Sequence, residues 1–136
     1  MNPSELLRLG RHWPGVAPEK KDWKQASKRV RFAVCEHCGL ELNHHGIGFA
    51  SKKAALRYRG AVDHIVPERL ALLIGKNPHE PLNLMCLAAS PCHGIKTSAD
   101  RYICEGNVAR YLEILQENNW PMDRVHAALA FYGIRP

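Results

Sequence analysis

The sequence predicts a small α+β domain with a four-cysteine zinc site and flanking α-helices. Three observations indicate this class. Four of the five cysteines fall in two groups, two short apolar segments suit β-strands, and helical periodicity occupies the regions on either side. With 136 residues, 46% of them hydrophobic, the chain can form a modest core and lacks the composition of a disordered segment.

The first part of the chain predicts an arm followed by a basic helix. Proline and glycine recur over residues 1–19, which favours an extended arm. Residues 20–34 predict an amphipathic helix, and residues 51–59 predict a basic helix or loop. The apolar positions on one side of the 20–34 helix are Trp23, Ala26, Val30, Ala33 and Val34.

The middle of the chain predicts two strands separated by a short helix and a loop. Around Asp63 and His64, residues 60–66 are apolar and β-branched, and Pro67 should end the strand that they form. Residues 68–74 suit a short helix, and the glycine and two prolines of residues 75–81 predict a loop. Residues 82–87 predict the second strand.

Three helices are predicted after the second strand. Residues 92–104 suit the first, and Asn118–Pro121 separates the other two. The apolar positions at helical spacing are Val108, Tyr111, Leu112 and Leu115 in one of this pair and Val125, Ala128, Leu129 and Tyr132 in the other.

The cysteine spacing predicts a metal site. Cys35 and Cys38 form a C-x-x-C motif, and Cys86 and Cys92 form a looser second pair. Zinc prefers four tetrahedral ligands, and paired cysteines are common structural donors. The sequence therefore predicts one structural Zn²⁺ held by these four thiolates, with Cys104 left as a small buried hydrophobic residue. Alternative ligands are His37, His44 and His45.

Asp63 and His64 form a candidate reactive pair in the first predicted strand. The carboxylate can bind a hard divalent ion, and the imidazole can accept a proton near neutral pH. Neighbours on a strand point to opposite faces, so the two can serve one site only where the strand ends. Pro67 favours such an end.

Three polar residues of the second half extend this candidate site. His93 stands at the start of the predicted 92–104 helix, where backbone N–H groups favour phosphate, and can be a second metal ligand. Lys96 lies one turn later on the same face and is a candidate phosphate contact. Asn83 lies at the start of the predicted 82–87 strand, where its plainer interpretation is a turn-forming residue.

Basic side chains are concentrated in the first half of the chain. Residues 1–60 contain 12 Lys/Arg against 5 Asp/Glu, whereas residues 61–136 contain 7 against 8. Such a field attracts polyanions such as DNA, although a solvated surface without a partner has the same composition. The candidate DNA-binding residues are Lys24, Lys28, Arg29, Arg31, Lys52, Lys53, Arg57 and Arg59.

Taken together, the motifs resemble the HNH endonuclease family, most closely its zinc-stapled phage and bacterial members. The resemblance covers residues 20–104. The second cysteine pair departs from it, because five residues separate Cys86 from Cys92 where the family usually has two. The motifs that carry the resemblance are Cys35-x-x-Cys38, Asp63-His64-Ile65-Val66-Pro67, Pro81-Leu82-Asn83-Leu84 and Cys92-His93-x-x-Lys96-Thr97.

This resemblance implies a ββα-metal (HNH) core that hydrolyses DNA phosphodiester bonds, as an endonuclease or nickase. His64 would be the general base, and Asn83 would hold the loop or orient His64. Asp63 and His93 would bind one catalytic Mg²⁺ or Mn²⁺, with Ni²⁺ as a substitute in vitro. The four cysteines would bind structural zinc.

The same resemblance divides the chain into an N-terminal arm (1–19), an HNH nuclease core with its zinc site (20–104) and a C-terminal helical extension (105–136). Its implied partners are DNA and, by analogy with phage-encoded members, phage DNA-packaging proteins. No apolar run reaches the roughly 20 residues of a membrane span, and Met1–Glu5 leads into no apolar segment. We therefore expect no membrane association, no secretory signal and a cytoplasmic location in a bacterial or phage-infected cell.

Two other functions are compatible with the sequence. A zinc-stabilised DNA-binding module without catalysis would use the same cysteines and basic helix but would give Asp63 and His64 no role. A structural or adaptor protein would use the C-terminal helices to bind a partner.

Overall fold

The computed structural model describes residues 20–30, 34–42 and 59–136. The predicted arm and most of the predicted basic segment at 51–59 lie outside these residues. Within the described ranges the protein contains five α-helices and one two-stranded antiparallel sheet, which confirms the predicted α+β class. The elements are α1 (Lys20–Arg29), β1 (Gly60–His64), α2 (Glu68–Leu73), a 3₁₀ turn (Pro81–Asn83), β2 (Leu84–Ala88), α3 (Cys92–Cys104), α4 (Val108–Glu117) and α5 (Met122–Phe131).

The sheet places the candidate reactive pair at the end of β1. Strands β1 and β2 pair antiparallel, with Asp63 opposite Met85 and His64 opposite Leu84. Every residue of β2 is buried, whereas in β1 only His64 is buried. The sheet is therefore covered mainly on β2, and β1 lies closer to solvent.

Both strand boundaries differ from the prediction for one reason. β1 stops at His64 because the next pair is only half bonded. The N–H of Ile65 donates to the carbonyl oxygen of Asn83, but the N–H of Asn83 donates to Glu80 within the 3₁₀ turn, and the carbonyl oxygen of Ile65 accepts the Tyr111 hydroxyl instead. The 3₁₀ turn that contains Asn83 also delays the second strand, which begins two residues later than predicted.

Helix α1 is shorter than predicted. It ends at Arg29, and Val34, expected on its apolar stripe, lies in an isolated antiparallel bridge with Glu41. The chain reverses between these bridge partners at Gly39, whose φ of 77° is a conformation that glycine adopts without strain. This reversal carries the C-x-x-C motif.

The helices after β2 occupy their predicted positions. Helix α3 covers the predicted range 92–104, and Asn118–Pro121 separates α4 from α5. The side chain of Asn107 caps α4 by accepting the N–H of Arg110. Across the described part of the chain, no helix has the length and apolar content that a membrane span requires.

One hydrophobic core joins the sheet to the later helices, and its members extend along the chain from Cys35 to Ile134. Tyr111 of α4 is fully buried, and its hydroxyl donates to the carbonyl oxygen of Ile65 at 2.5 Å. The C-terminal helices therefore pack directly on the segment that follows β1.

Candidate metal centres

Three cysteine sulfurs converge between the C-x-x-C turn and the first residue of α3. The Sγ atoms of Cys35, Cys38 and Cys92 all lie within 4.8 Å of one another. Cys35 and Cys92 are buried, and Cys38 is exposed. Sulfurs that share one tetrahedral zinc ion lie about 3.8 Å apart, so a modest contraction is enough for coordination. The cluster can hold a metal ion such as zinc.

The backbone of the turn is arranged around the sulfur of Cys35. The N–H of Cys38 points at this sulfur, with nitrogen and sulfur 3.5 Å apart. Burial alone would raise the pKa of the Cys35 thiol, but hydrogen bonds from the backbone N–H groups of Cys38, Ala88 and His37 lower it. Burial raises the pKa of the Cys92 thiol. The turn therefore favours a thiolate at Cys35.

The sulfur of Cys86 does not belong to this cluster, which departs from the predicted four-cysteine set. Cys86 lies in the middle of β2 opposite Val62, where its backbone N–H and C=O both bond to Glu36. Cys92 follows only after the strand has ended, so the five-residue gap places the two cysteines on different elements. Cys104, the predicted spare, is half-buried at the end of α3 and is also outside the cluster.

His37 connects the cysteine cluster to the C-terminal helices. Its Nδ1 lies 3.1 Å from the Sγ of Cys92, and its Nε2 lies 2.6 Å from the carbonyl oxygen of Asn118. Its ring stacks on Trp120, with centroids 4.1 Å apart. Because a carbonyl oxygen only accepts, Nε2 carries the proton of that hydrogen bond. His37, an alternative ligand in the sequence, thus contacts one sulfur of the cluster.

A second group of candidate ligands forms where β1 meets α3. The Oδ2 of Asp63 lies 3.8 Å from the Nε2 of His93. The Oδ1 of Asp63 accepts the N–H of His64 at 2.8 Å, whereas Oδ2 is buried and has no hydrogen-bond partner among the described residues. A bound cation would satisfy such an oxygen. Two ligands of one Mg²⁺-sized ion lie about 3–4 Å apart, which this pair matches.

The ring of His64 is buried and is held by two neighbours. Its Nε2 lies 2.9 Å from the Nδ1 of His79. The ring of Trp23, from α1, stacks on it with centroids 4.9 Å apart. Burial and the nearby His79 lower the pKa of His64 to about 4, with Asp63 opposing the shift. His64 is therefore neutral at pH 7 and can accept a proton.

Asn83 is fully buried and clamps the two segments that flank the site. Its Oδ1 accepts the N–H of Val66 at 2.7 Å. Its Nδ2 donates to the carbonyl oxygens of Val66 at 3.0 Å and Pro78 at 2.9 Å. The side chain thus ties the end of β1 to the loop before the 3₁₀ turn.

Lys96 does not occupy the predicted phosphate-contact position, because its side chain is only 1% exposed. Its Nζ donates to the carbonyl oxygen of His64 at 2.7 Å and to the carboxylate of Asp100. Burial acts to lower the pKa of Lys96, but Tyr111, Asp100 and Asp63 raise it, so the amine stays charged. Lys96 is an internal tether between α3 and the end of β1.

The sequence does not identify His79 or Trp23 as parts of the site. His79 falls in the predicted 75–81 loop, where the pattern indicates only a turn. The one local signal that His79 could be held in place is the adjacent Pro78, which restricts the backbone conformation before it. Trp23 is expected on the apolar side of α1, and nothing in that periodicity indicates a histidine as its neighbour.

Four of the predicted DNA-binding residues lie in the described part of the chain. All four are exposed, three of them on α1 and one beside β1. The helix that places Trp23 against His64 therefore also carries exposed basic groups. The exposed residues are Lys24, Lys28, Arg29 and Arg59, and the ones outside the described ranges are Arg31, Lys52, Lys53 and Arg57.

Comparison with protein-family models, with curated proteins and with solved structures finds no significant match to this chain. The resemblance to HNH endonucleases consequently depends on the sequence motifs. What the site does is inferred from its own residues and their geometry.

Proposed function

We propose that this protein is a metal-dependent DNA endonuclease or nickase of the HNH type. The observation that carries the proposal is the approach of Asp63 Oδ2 to His93 Nε2, within an antiparallel β1–β2 pair followed directly by α3. A ββα-metal fold consists of two strands and a helix in this order. The Asp–His pair stands where the first strand meets the helix.

Asp63 and His93 would hold the catalytic ion. Oxygen and nitrogen ligands suit Mg²⁺ or Mn²⁺, with Ni²⁺ as a substitute in vitro. Bound there, the ion would neutralise the charge that develops on the phosphate. The side chain of His93 is 42% exposed and that of Asp63 16% exposed, so a DNA phosphodiester would approach the ion from the side of His93.

The metal of the cysteine cluster would be zinc, with a structural role. Thiolates favour zinc over magnesium or manganese. The cluster is connected to the rest of the protein through Glu36, which bonds to β2 and to Arg124 of α5, and through His37, which bonds to Asn118. Loss of the ion would therefore loosen the attachment of the C-x-x-C turn to both the sheet and the C-terminal helices.

His64 would accept the proton of the attacking water. Its ring is neutral at pH 7, because burial and His79 lower its pKa to about 4, and for the same reason it is a weaker base than an ordinary histidine. Since Nε2 faces His79, Nδ1 is the nitrogen that can face a water molecule. A general base contributes about 10²–10⁴-fold to the rate. Lys96 and Asn83 hold the backbone of residues 64–66 and so keep this ring next to Asp63.

A second candidate function, a DNA-binding module without catalysis, is favoured by one observation. The ring of Trp23 stacks on the ring of His64, and His64 is only 9% exposed. A histidine pair that merely supports the fold has the same burial. In that case the exposed basic residues of α1 would bind the DNA backbone, and Asp63 would have no reaction to support.

Nicking of supercoiled plasmid separates the two candidates. The zinc-loaded wild type with Mg²⁺ or Mn²⁺ is expected to convert supercoiled DNA into nicked or linear forms. Asp63→Ala should slow this by at least about 10²-fold, because it removes a ligand of the ion. The matched control is His126→Ala, which removes an exposed histidine from α5. A wild type that binds plasmid and leaves it intact with every metal supports the binding module.

A further inference from the structure

A buried histidine pair lies beside the Asp63–His93 site. His64 Nε2 and His79 Nδ1 are 2.9 Å apart, and the two residues are 9% and 7% exposed. One of two neutral ring nitrogens at this distance donates a proton and the other accepts it. Trp23 covers both rings, with centroid distances of 4.9 and 5.0 Å. The pair is therefore shielded from solvent that would compete for its hydrogen bond.

The loop that carries His79 is fixed from several directions. Asn83 Nδ2 donates to the carbonyl oxygen of Pro78 at 2.9 Å. The N–H of His79 donates to the Oδ1 of Asn77 at 3.0 Å, and the hydroxyl of Tyr132 donates to the carbonyl oxygen of Asn77 at 2.7 Å. A ring on so fixed a backbone can hold the ring of its partner in one orientation.

We propose that His79 is a positioning residue for His64 and that Asn83 acts on the site through it. In this arrangement the Nε2–H of His64 donates to the Nδ1 of His79. The proton of His64 then lies on Nε2, and Nδ1 keeps the lone pair that a general base needs. The proposal rests on the endonuclease function, in which His64 is that base.

The opposite proton arrangement would not serve the reaction. If His79 donated from Nδ1, the neutral His64 ring would carry its own proton on Nδ1, the nitrogen that is left for the attacking water, and would have no lone pair there. Asn83 acts on the pair indirectly, through the backbone on either side of it. Its side-chain amide bonds to the backbone of Pro78, which precedes His79, and to the backbone of Val66, two residues after His64. One amide thus fixes the backbone near both histidines.

The tautomer of His64 tests this proposal without a cleavage assay. In ¹⁵N-labelled, zinc-loaded wild type at pH 7, the His64 ring should be protonated on Nε2 and unprotonated on Nδ1. In His79→Ala the ring should populate both tautomers. In His79→Gln, whose amide oxygen can accept the same hydrogen bond, the Nε2–H form should persist. A wild-type ring protonated on Nδ1, or a tautomer unchanged in His79→Ala, would overturn the proposal.

Nicking kinetics supply the second readout. His79→Ala should lower kcat by about 10²-fold with little change in KM, because a displaced base acts on the chemical step, and His79→Gln should recover most of the loss. His126→Ala is the control, and thermal melting reports the fold of each variant. Unchanged kcat in a folded His79→Ala would overturn the positioning role. A wild type without cleavage would refute the endonuclease proposal instead, and the tautomer would still decide the arrangement of the pair.

Discussion

Cys92 and His93 are neighbours in the chain and yet belong to two sites of opposite character. Both stand at the start of α3, where successive side chains point about 100° apart around the helix axis. Cys92 is buried and faces the sulfurs of Cys35 and Cys38. His93 is half exposed and faces the carboxylate of Asp63. One helix start thus separates a largely buried sulfur cluster from an oxygen and nitrogen pair whose imidazole is accessible to solvent.

The difference in donors and burial indicates different tasks for the two sites. Thiolates in a closed setting bind zinc and add to the free energy of folding. A half-exposed imidazole beside a carboxylate leaves room around an ion for a substrate phosphate. Changes at the cysteine cluster should therefore act on the fold, and changes at the Asp63–His93 pair should act on cleavage.

The largest effect is expected from loss of a clustered cysteine. Cys92→Ala should remove the zinc ion and lower the melting temperature by on the order of 10 °C or more, because a structural zinc contributes folding free energy. Cys86→Ala is the matched control, since it removes a buried cysteine outside the cluster and should keep the zinc. Elemental analysis and thermal melting measure both effects. Equal loss of zinc from the two variants would show that Cys86 is a ligand.

A smaller loss of stability is expected from Lys96→Met at the other site. The change leaves Asp100 without its buried partner, which should lower the free energy of unfolding by about 3 kcal/mol. Lys76→Met, which removes an exposed amine bonded to the carbonyl oxygen of Phe131, should cost less than about 1 kcal/mol. Urea unfolding measures both. If Lys96→Met instead weakens DNA binding at normal stability, the phosphate-contact role is correct.

The pH dependence of stability should reveal the burial of His64. Its pKa is about 4 in the fold against 6.5 for an ordinary histidine. A histidine kept neutral stabilises the fold above pH 6.5, and this contribution is lost as the pH falls toward 4. Between pH 7 and 4 the free energy of unfolding should fall by up to about 3 kcal/mol more in wild type than in His64→Gln. Parallel curves from denaturant unfolding would contradict this.

The smallest effect is expected on the basic face of α1. Replacing both Lys24 and Lys28 with alanine should weaken DNA binding and reduce the slope of log affinity against log salt by about 1–2, because phosphate contacts release counterions. Zinc content should not change. Arg135→Ala removes an exposed charge near the C-terminus and serves as the control. An unchanged slope in the double variant would place the DNA on a different surface.

Local patterns predict most of the fold, and long-range bonds account for the differences. The spacing of apolar residues predicts α3 with both ends correct, since a helix is largely determined by its own side chains. The end of β1 is different, because Asn83, far along the chain, donates its backbone N–H to Glu80 in the 3₁₀ turn instead of pairing with Ile65. No pattern within the strand itself contains that information.

The sequence likewise predicts one part of the candidate site and misses another. The order of the motifs pairs Asp63 with His93, and the structure brings them to 3.8 Å. The burial of Lys96 depends on its packing with Asp100 and Tyr111, and the role of His79 depends on how its loop folds back on β1. Residue type indicates a possible chemistry, whereas burial and partners decide whether the group meets a substrate.

Titration of the zinc-loaded protein with Mn²⁺ tests most directly whether the two sites hold different metals. Electron paramagnetic resonance counts the bound Mn²⁺, and elemental analysis counts the zinc in the same sample. We predict one Mn²⁺ and one Zn²⁺ per wild-type chain, and in His93→Ala an Mn²⁺ affinity at least about tenfold weaker with the zinc unchanged. Mn²⁺ bound equally well by His93→Ala, or zinc lost together with Mn²⁺, would contradict the separation of the two sites.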